Sequence, residues 1–436
     1  MSAQRIALAK DVYLNIIPCD TFKSNYLTMN FITPLQAESA ADRAMVSRVL
    51  RRGCAAYPDM GKLTERMQDL YNAAAGSPLV VKRGEMQLIG QSAGMLDNSV
   101  IPDGTDVFGG TLELFADIWF APLTENGAFR SDYTVGERNT LADAIRAKIN
   151  NKNSYAPQRC YQEMCRGERF GVDASGSLAD VENTTSVSVW NAYNEVLHRM
   201  PCEIYYVGRG DTDKMENILR RAFAGIDRSE IVRAETEVIR CADTVREVIE
   251  EQPVAQSKLS LGFRTGTCEA DGTRPVMLMF NEIYGASPLS KLFMNVREKL
   301  SLCYYCSSGL EQIKGTMLVN CGIEAEKKEI AQAEILAQLD EIRDGKISDA
   351  ELDGARKSLR CALTQIGDEP ESMATWHLCR RLSGREDVTL AEEIEAIESV
   401  TRADIAEAAQ RITLDTVYFM RGTQPAAEEE EDGDEE

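Results

Sequence analysis

Alternating apolar and polar positions predict strands near the start of each half of the chain. The segments NYLTMNFI, from Asn25, and QSKLSLGF, from Gln256, alternate in this way and are rich in β-branched or aromatic residues. Paired strands are predicted next, in PLVVKRGEMQLIGQSAG and in LCYYCSSGLEQIKGTMLVNCGIE, with Gly84 and Gly315 near their turns. Each half is therefore predicted to begin with strands.

Helical periodicity follows in each half, at matching offsets. DYTVGERNTLADAIRAKI and KISDAELDGARKSLRCAL repeat apolar residues at helical spacing, and their glutamates Glu137 and Glu351 lie 214 positions apart. Each half closes with a Ser-Val step, an amphipathic helix and a strand, from Ser186 and from Ser399, an offset of 213. This internal repeat predicts an α+β fold of two tandem homologous halves, each a sheet packed against helices.

The repeat also predicts domain boundaries. We expect an N-terminal domain at 1–226, a charged linker at 227–245, a C-terminal domain at 246–424 and a disordered acidic tail at 425–436. Two domains suit a chain of 436 residues, because a single hydrophobic core stops growing at roughly 250–300 residues.

Charge and hydropathy exclude several classes of protein. The 48 basic and 70 acidic residues give a net charge of -22, which disfavours binding to nucleic acid and to anionic membranes. No apolar run approaches the ~20 residues that span a bilayer. The first twenty residues contain neither a secretory apolar segment nor a cleavage site, so we expect a cytoplasmic protein.

Histidine is too scarce for the common hydrolytic sites. The chain has two, His198 and His377, in different halves, whereas a zinc site of the His-pair type needs two at close spacing. Ser-His-Asp and Cys-His schemes would have to use one of the same two residues. Each histidine is interpreted as a packed or helix-terminal residue.

The twelve cysteines are interpreted as buried thiols of a protein in a reducing compartment. Cys303 and Cys306 form the one CxxC pair, and no second pair stands at zinc-site spacing. We interpret this pair as core packing. A redox or metal role is the alternative.

Several segments resemble a known peptidase family. GASPLSKLFMNVREKLSLCYY, from Gly285, resembles the second half of the pitrilysin/insulinase-type peptidases, the inverzincins, where a Gly-rich turn leads to a helix of form xRLFxxLREKxGLAY. VLRRGCAAYPDMGKLTERMQDLYNA and ERNTLADAIRAKINNKNSYAPQRCYQEMCRGERFG resemble it too, so the resemblance reaches about residue 422. It implies halves like those of the mitochondrial processing peptidase, forming a clamshell.

The zinc motif of that family, His-x-x-Glu-His, is missing from this chain. Placing the family's first helix on RAMVSRVLRRG puts Ala44 and Arg48 at the histidine positions and Ser47 at the general base. The third ligand falls at about Ala144, with Glu137 one or two turns upstream. A guanidinium repels a metal ion, so the resemblance implies no catalytic residue, metal or cofactor in this chain.

Arg297 and Tyr304 keep the spacing of the family's arginine and tyrosine. By resemblance, the pair would hold the backbone of an extended peptide. Arg297 is predicted on the flank of a helix whose apolar residues share one face: Leu289, Leu292, Phe293, Val296 and Leu300. The alternative is structural, with Arg297 paired to Glu298 or Glu324 and Tyr304 an ordinary strand aromatic.

The resemblance therefore predicts a non-catalytic subunit that binds an extended polypeptide and complements a zinc-bearing homologous partner in a heterodimeric metallopeptidase. Zinc is expected only in that partner. The narrower resemblance is to the zinc-motif-lacking member of a protein pair in Firmicutes-type bacteria, associated with 5-aminopentanol modification of elongation factor P. The alternative is a peptide-binding or scaffolding protein without a peptidase partner, and a hydrolase with an unrecognised site has the least support.

Overall fold

The computed structural model describes residues 3–424, and the acidic tail predicted at 425–436 lies outside the described residues. The chain forms two compact units. The first contains the chain up to Ala147, Gly167–Glu237 and Ala362–Glu392, and the second contains Lys148–Arg166, Val238–Cys361 and the chain from Glu393 on.

The strands of the described residues are β1 (Gln4–Ala9), β2 (Val12–Pro18), β3 (Ser24–Pro34), β4 (Ala74–Arg83), β5 (Met86–Leu96), β6 (Thr124–Glu125), β7 (Ala128–Phe129), β8 (Cys202–Gly208), β9 (Arg246–Gln252), β10 (Ser257–Arg264), β11 (Cys303–Glu311), β12 (Thr316–Ile323) and β13 (Thr413–Gly422). The α-helices are α1 (Ala37–Leu50), α2 (Met60–Asp69), α3 (Val107–Phe120), α4 (Ser131–Ala147), α5 (Lys152–Met164), α6 (Leu178–Glu182), α7 (Ser186–Arg199), α8 (Thr212–Phe223), α9 (Arg274–Asn281), α10 (Lys328–Arg343), α11 (Asp349–Gln365), α12 (Pro370–Leu382), α13 (Leu390–Ser399) and α14 (Arg402–Gln410).

The first unit is built on a six-stranded sheet in the order β1-β2-β8-β3-β5-β4. β8 pairs in parallel with β2 and antiparallel with β3, so the last strand of this half lies inside the sheet. Leu27, Met29 and Phe31 alternate along β3 and are fully buried. Phe31 stacks on Trp119 of α3 with 5.2 Å between the ring centroids, which joins the sheet to the helix layer.

The second unit repeats this topology. Its sheet has the order β11-β12-β10-β13-β9, with β13 parallel to β9 and antiparallel to β10. The first sheet carries the same pairings in β4-β5-β3-β8-β2. The predicted α+β fold of two homologous halves, each with a sheet packed against helices, is confirmed. In the second unit, β11 is an edge strand.

One helix in each unit comes from the other half of the sequence. In the second unit, α5 packs on β10 and β13, where Ala156 and Cys160 are buried against Tyr418. Gly262 permits this approach, because a Cβ there would lie only 2.7 Å from the Met164 sulfur. In the first unit, α12 packs on β8 and β3. Neither placement follows from the sequence repeat.

The prediction of a helix from Leu289 with one apolar face is wrong in two respects. The chain forms two π-helical segments, Glu282–Ala286 and Leu292–Lys299, whose wider turns do not keep a 3.6-residue period. Leu292 and Val296 are buried, but Leu289 and Leu300 are 67% and 44% exposed. The predicted apolar face is therefore split, and two of its leucines face solvent.

Within residues 3–424, no helix is long and apolar enough to cross a membrane.

Candidate functional site

Helix α1 carries the positions where the family resemblance would place zinc ligands. Ala44 and Ser47 are completely buried in the first unit, and the hydroxyl of Ser47 finds no hydrogen-bond partner among the described residues. The Arg48 side chain lies at the edge of the core and is 30% exposed. The two buried positions hold small side chains, which lets α1 pack closely against its neighbours.

Glu137 of α4 lies beside the C-terminal end of α1. Its Oε1 accepts a hydrogen bond from Nε of Arg52 at 2.6 Å, and its Oε2 lies 3.8 Å from Nη1 of Arg48. Glu137 is 7% exposed, whereas Ala144, the position suggested for the third ligand, is exposed on the same helix. The structure thus places the Glu137 carboxylate between two guanidinium groups.

These residues do not fit a zinc ion. A zinc site needs three or four nitrogen, oxygen or sulfur donors around one point. Ala44 has no donor atom, Ser47 offers one neutral oxygen, and Arg48 brings a positive charge. The carboxylate of Glu137 is already neutralised by Arg52. The guanidinium of Arg52 compensates the charge of Glu137, so this arrangement stabilises the contact between α1 and α4.

The two histidines lie in separate structural settings. His198 is in the last turn of α7, where its Nδ1 lies 2.7 Å from the carbonyl oxygen of Asp227. His377 is in α12 beside Trp376, with 4.9 Å between the ring centroids. Burial lowers the pKa of His377 to about 4, so this side chain is neutral at pH 7. Both are accommodated as structural residues.

Arg297 and Tyr304 lie in the second unit, on either side of the step from the π-helical segment Leu292–Lys299 into β11. The Arg297 side chain is 40% exposed, lies over the ring of Phe293 at 4.6 Å and approaches Glu298 at 3.6 Å. An exposed contact of that length restrains a side chain little. Glu324, the other suggested partner, pairs with Lys327 at 2.9 Å.

Tyr304 is 61% exposed and lies at a register shift in β11, between Cys303 and Tyr305. The shift is a β-bulge, which re-aims side chains and is common at sheet edges. Both Arg297 and Tyr304 therefore present polar groups to solvent at the edge of this sheet. Their predicted role in substrate binding stays a prediction.

A three-cysteine cluster lies immediately beside this pair. The sulfur atoms of Cys303, Cys306 and Cys321 all lie within 4.8 Å of one another. Hydrogen bonds from Cys306 and Cys321 lower the pKa of the Cys303 thiol to about 4 and raise the pKa of both donors. Sequence reasoning noticed the CxxC pair but missed Cys321, which stands directly opposite Cys306 across the hairpin.

Known proteins resemble the chain in sequence. Residues 185–359 match the family described as Peptidase M16 inactive domain. A probable inactive metalloprotease of Bacillus subtilis (strain 168), YmfF, is 29% identical over 417 residues, which cover 95% of this chain and 96% of that protein. The resemblance to that protein therefore includes both halves.

Solved structures share the fold. A conserved protein from Enterococcus faecalis V583 is 27% identical, with a TM-score of 0.89 over 97% of this chain and 99% of that chain. A peptidase M16 inactive domain from Pseudomonas fluorescens is 16% identical, with a TM-score of 0.77 over 98% of this chain and 99% of that chain. At that lower identity the likeness concerns the fold alone.

The ion pairs of Glu137 generate a prediction about stability. Glu137→Ala should lower the free energy of unfolding by about 1–3 kcal/mol, because Arg52 and Arg48 lose their partner at a largely buried position. The midpoint of urea unfolding measures this loss. Glu65→Ala is the matched control, since it removes a carboxylate from the exposed Lys62–Glu65 pair and should leave the midpoint unchanged. Equal midpoints for the two variants would contradict the structural role.

Proposed function

We propose that this chain, a homologue of the inactive domain of M16 peptidases, is a non-catalytic subunit. In this proposal it binds an extended polypeptide and completes a heterodimeric metallopeptidase, in which a homologous partner supplies the zinc. The observation that carries the proposal is the pairing of Glu137 with Arg52 and Arg48 beside α1. Arg48 brings a positive charge and Ala44 a buried methyl group to positions where the family resemblance would place metal ligands.

A single substitution would not create a metal site at α1. Ala44 and Ser47 are fully buried, so an imidazole or carboxylate at either position would overfill the core, typically at a cost of about 1–3 kcal/mol. Arg48 would also have to be removed before a cation could approach. The local packing supports a chain that has no hydrolytic activity of its own at this position.

The second unit offers a surface for an extended peptide. β11 is an edge strand of its sheet, and an edge strand can pair with an added strand through backbone hydrogen bonds. Tyr304 projects from the bulge of this strand, and Arg297 lies at the helix end that leads into it. The guanidinium supplies a planar fork of donors for carbonyl oxygens, and the phenol supplies one more.

The charge of the chain supports a partner of opposite charge. With 70 acidic and 48 basic residues, its net charge is -22, so long-range attraction would accelerate docking to an electropositive homologue. The proposed alternative is a peptide-binding or scaffolding protein that never joins a peptidase. The two differ in whether a zinc-bearing homologue co-purifies with the native protein. The narrower resemblance, to the pair associated with 5-aminopentanol modification of elongation factor P, stays a prediction.

The isolated chain is expected to hydrolyse no unstructured peptide, with or without added zinc. The reason is that the residues of α1 cannot hold a metal ion that would activate a water molecule. The variants Ala44→His and Arg48→His, even combined, should remain inactive. Activity would require at least these two changes together with Ser47→Glu. A fluorogenic peptide library with supplied Zn²⁺ measures this, and hydrolysis by the wild-type chain that persists after repurification would overturn the proposal.

Peptide turnover by the assembled complex should depend on Arg297 and Tyr304. Arg297→Ala and Tyr304→Phe should each weaken turnover by roughly 1.5–3 kcal/mol, about tenfold to a hundredfold, through lost hydrogen bonds to the peptide. Arg297→Lys should retain only part of the turnover lost in Arg297→Ala, since an ammonium group lacks the planar fork of donors of a guanidinium. Lys299→Ala removes an exposed cation from the same segment and serves as the control. Unchanged turnover in both main variants, with assembly intact, would return the pair to a structural role.

Association with a zinc-bearing homologue should be detectable with purified proteins. Light scattering at micromolar concentration should show a heterodimer, and the association rate should fall as salt is raised, because screening weakens the attraction between opposite charges. An unrelated protein of similar negative charge is the control for non-specific association. Exclusively monomeric behaviour beside the candidate partner would favour the scaffolding alternative.

A further inference from the structure

The β11–β12 hairpin of the second unit brings three sulfur atoms together. Cys303 and Cys306 lie on β11 and Cys321 lies on β12, and every pair of their sulfurs is within 4.8 Å. Cys306 stands directly opposite Cys321 in the antiparallel register. Directly opposite residues project from the same face of a sheet, with their Cβ atoms about 4.5–5.5 Å apart. Two of the three sulfurs are therefore neighbours because of strand pairing alone.

The third sulfur joins them because of the bulge. Residues three apart on a regular strand face opposite sides of the sheet, so Cys303 would ordinarily point away from Cys306. In β11 the register shifts, with Cys303 opposite Ile323 and Tyr305 opposite Gly322. Tyr304 is the extra residue, and the bulge turns Cys303 to the face that carries the other two. Simple core packing of small thiols does not require this backbone distortion.

The surroundings of the cluster suit bound thiolates. Cys306 and Cys321 are 3% and 1% exposed, while Cys303 is only partly buried, so the cluster is enclosed on one side and open on the other. Three cationic side chains, Arg297, Lys327 and Lys258, lie near these sulfurs. Positive charge at this distance would offset the negative charge that metal-bound thiolates accumulate.

We propose that Cys303, Cys306 and Cys321 form a three-sulfur binding site for a thiophilic metal ion, Zn²⁺ or Cu⁺. Metal–sulfur bonds of about 2.3 Å place three coplanar sulfurs roughly 4 Å apart, so the observed cluster needs a contraction of less than about 1 Å. Soft thiolate ligands select these two ions over harder cations. Three protein sulfurs complete a trigonal Cu⁺ site, and Zn²⁺ would take a fourth ligand from the open side at Cys303.

This site shares strand β11 with Tyr304 but is separate from the α1 positions of the proposed peptidase role. It lies in the second unit, on strands, and uses none of the positions on α1. It departs from the expectation drawn from the sequence, in which the chain holds no metal and the CxxC pair only fills the core. Among residues 3–424, the three cysteines are the only group of three or more candidate ligands that meets within this distance.

Metal titration of the full-length protein tests the proposal. Protein purified under reducing, anaerobic conditions and stripped by a chelator is titrated with Zn²⁺ against a chromophoric chelator, and separately with Cu⁺ against a Cu⁺-specific chelator. We expect one ion per chain in at least one titration, and the two arms identify which ion is preferred. Co²⁺ serves as a spectroscopic probe, since thiolate coordination gives near-ultraviolet charge-transfer absorption. Binding should also raise the thermal unfolding midpoint.

Three variants make the result specific to the cluster. Cys321→Ser should weaken binding at least about 100-fold and abolish the rise in unfolding midpoint. Cys303→Ser should have the same effects. Because Cys303 is only partly buried, this variant should still fold, and it tests the proposal if Cys321→Ser fails to fold. Cys361→Ser removes an exposed thiol of α11 outside the cluster and should bind as the wild type does.

Three results would overturn the proposal. One is the absence of stoichiometric binding by the wild-type protein in both titrations. Another is binding that survives unchanged in Cys303→Ser and Cys321→Ser. The third is a disulfide between two of the three cysteines in the reduced, anaerobically purified protein, found by thiol counting and mass spectrometry, which would show that the sulfurs pair with one another.

Discussion

The fold depends on one constraint, which is that the last strand of each half enters the interior of its sheet. β8 lies between β2 and β3, and β13 lies between β9 and β10. Each sheet is therefore incomplete until the chain has passed through every intervening helix and returned. Such pairings join residues that are far apart in sequence. Their favourable interactions must first compensate a large loss of chain entropy before they stabilise the fold. The resulting strand order leaves β11 and β9 at the two edges of the second sheet.

The helix layer that forms over the first sheet determines the chemistry available at α1. Ala44 and Ser47 face the core, and α4 brings Glu137 within reach of Arg52 and Arg48. The same helix pairing could deliver a carboxylate to a metal, but here the neighbouring side chains carry positive charge. A buried carboxylate needs a compensating cation, and in this unit arginine provides it. The charge of Glu137 is therefore satisfied within this unit by arginine.

Much of this architecture could be predicted from the sequence, because local patterns specify local structure. The alternation in NYLTMNFI and QSKLSLGF gave β3 and β10, and the periodic segments near Glu137 and Glu351 gave α4 and α11. The placement of α5 on the second sheet could not be predicted, because it depends on a glycine, Gly262, that leaves room for Met164. The exposure of Leu289 and Leu300 was also missed, because both residues lie outside the two helical segments, Glu282–Ala286 and Leu292–Lys299.

The candidate site shows the same division between local and non-local information. The CxxC spacing and the pair Arg297 and Tyr304 were visible in the sequence, but Cys321 joins them only through strand register. The hairpin that places Cys306 opposite Cys321 turns at Gly315, a residue the sequence had already marked as a turn, so the pairing could in principle have been found. The bulge in β11 could not have been found in the sequence. A single extra residue in β11 turns Cys303 inward and leaves Tyr304 61% exposed, so the sulfur cluster and the exposed aromatic residue are two consequences of one distortion. Any change that straightens this strand must therefore alter both together.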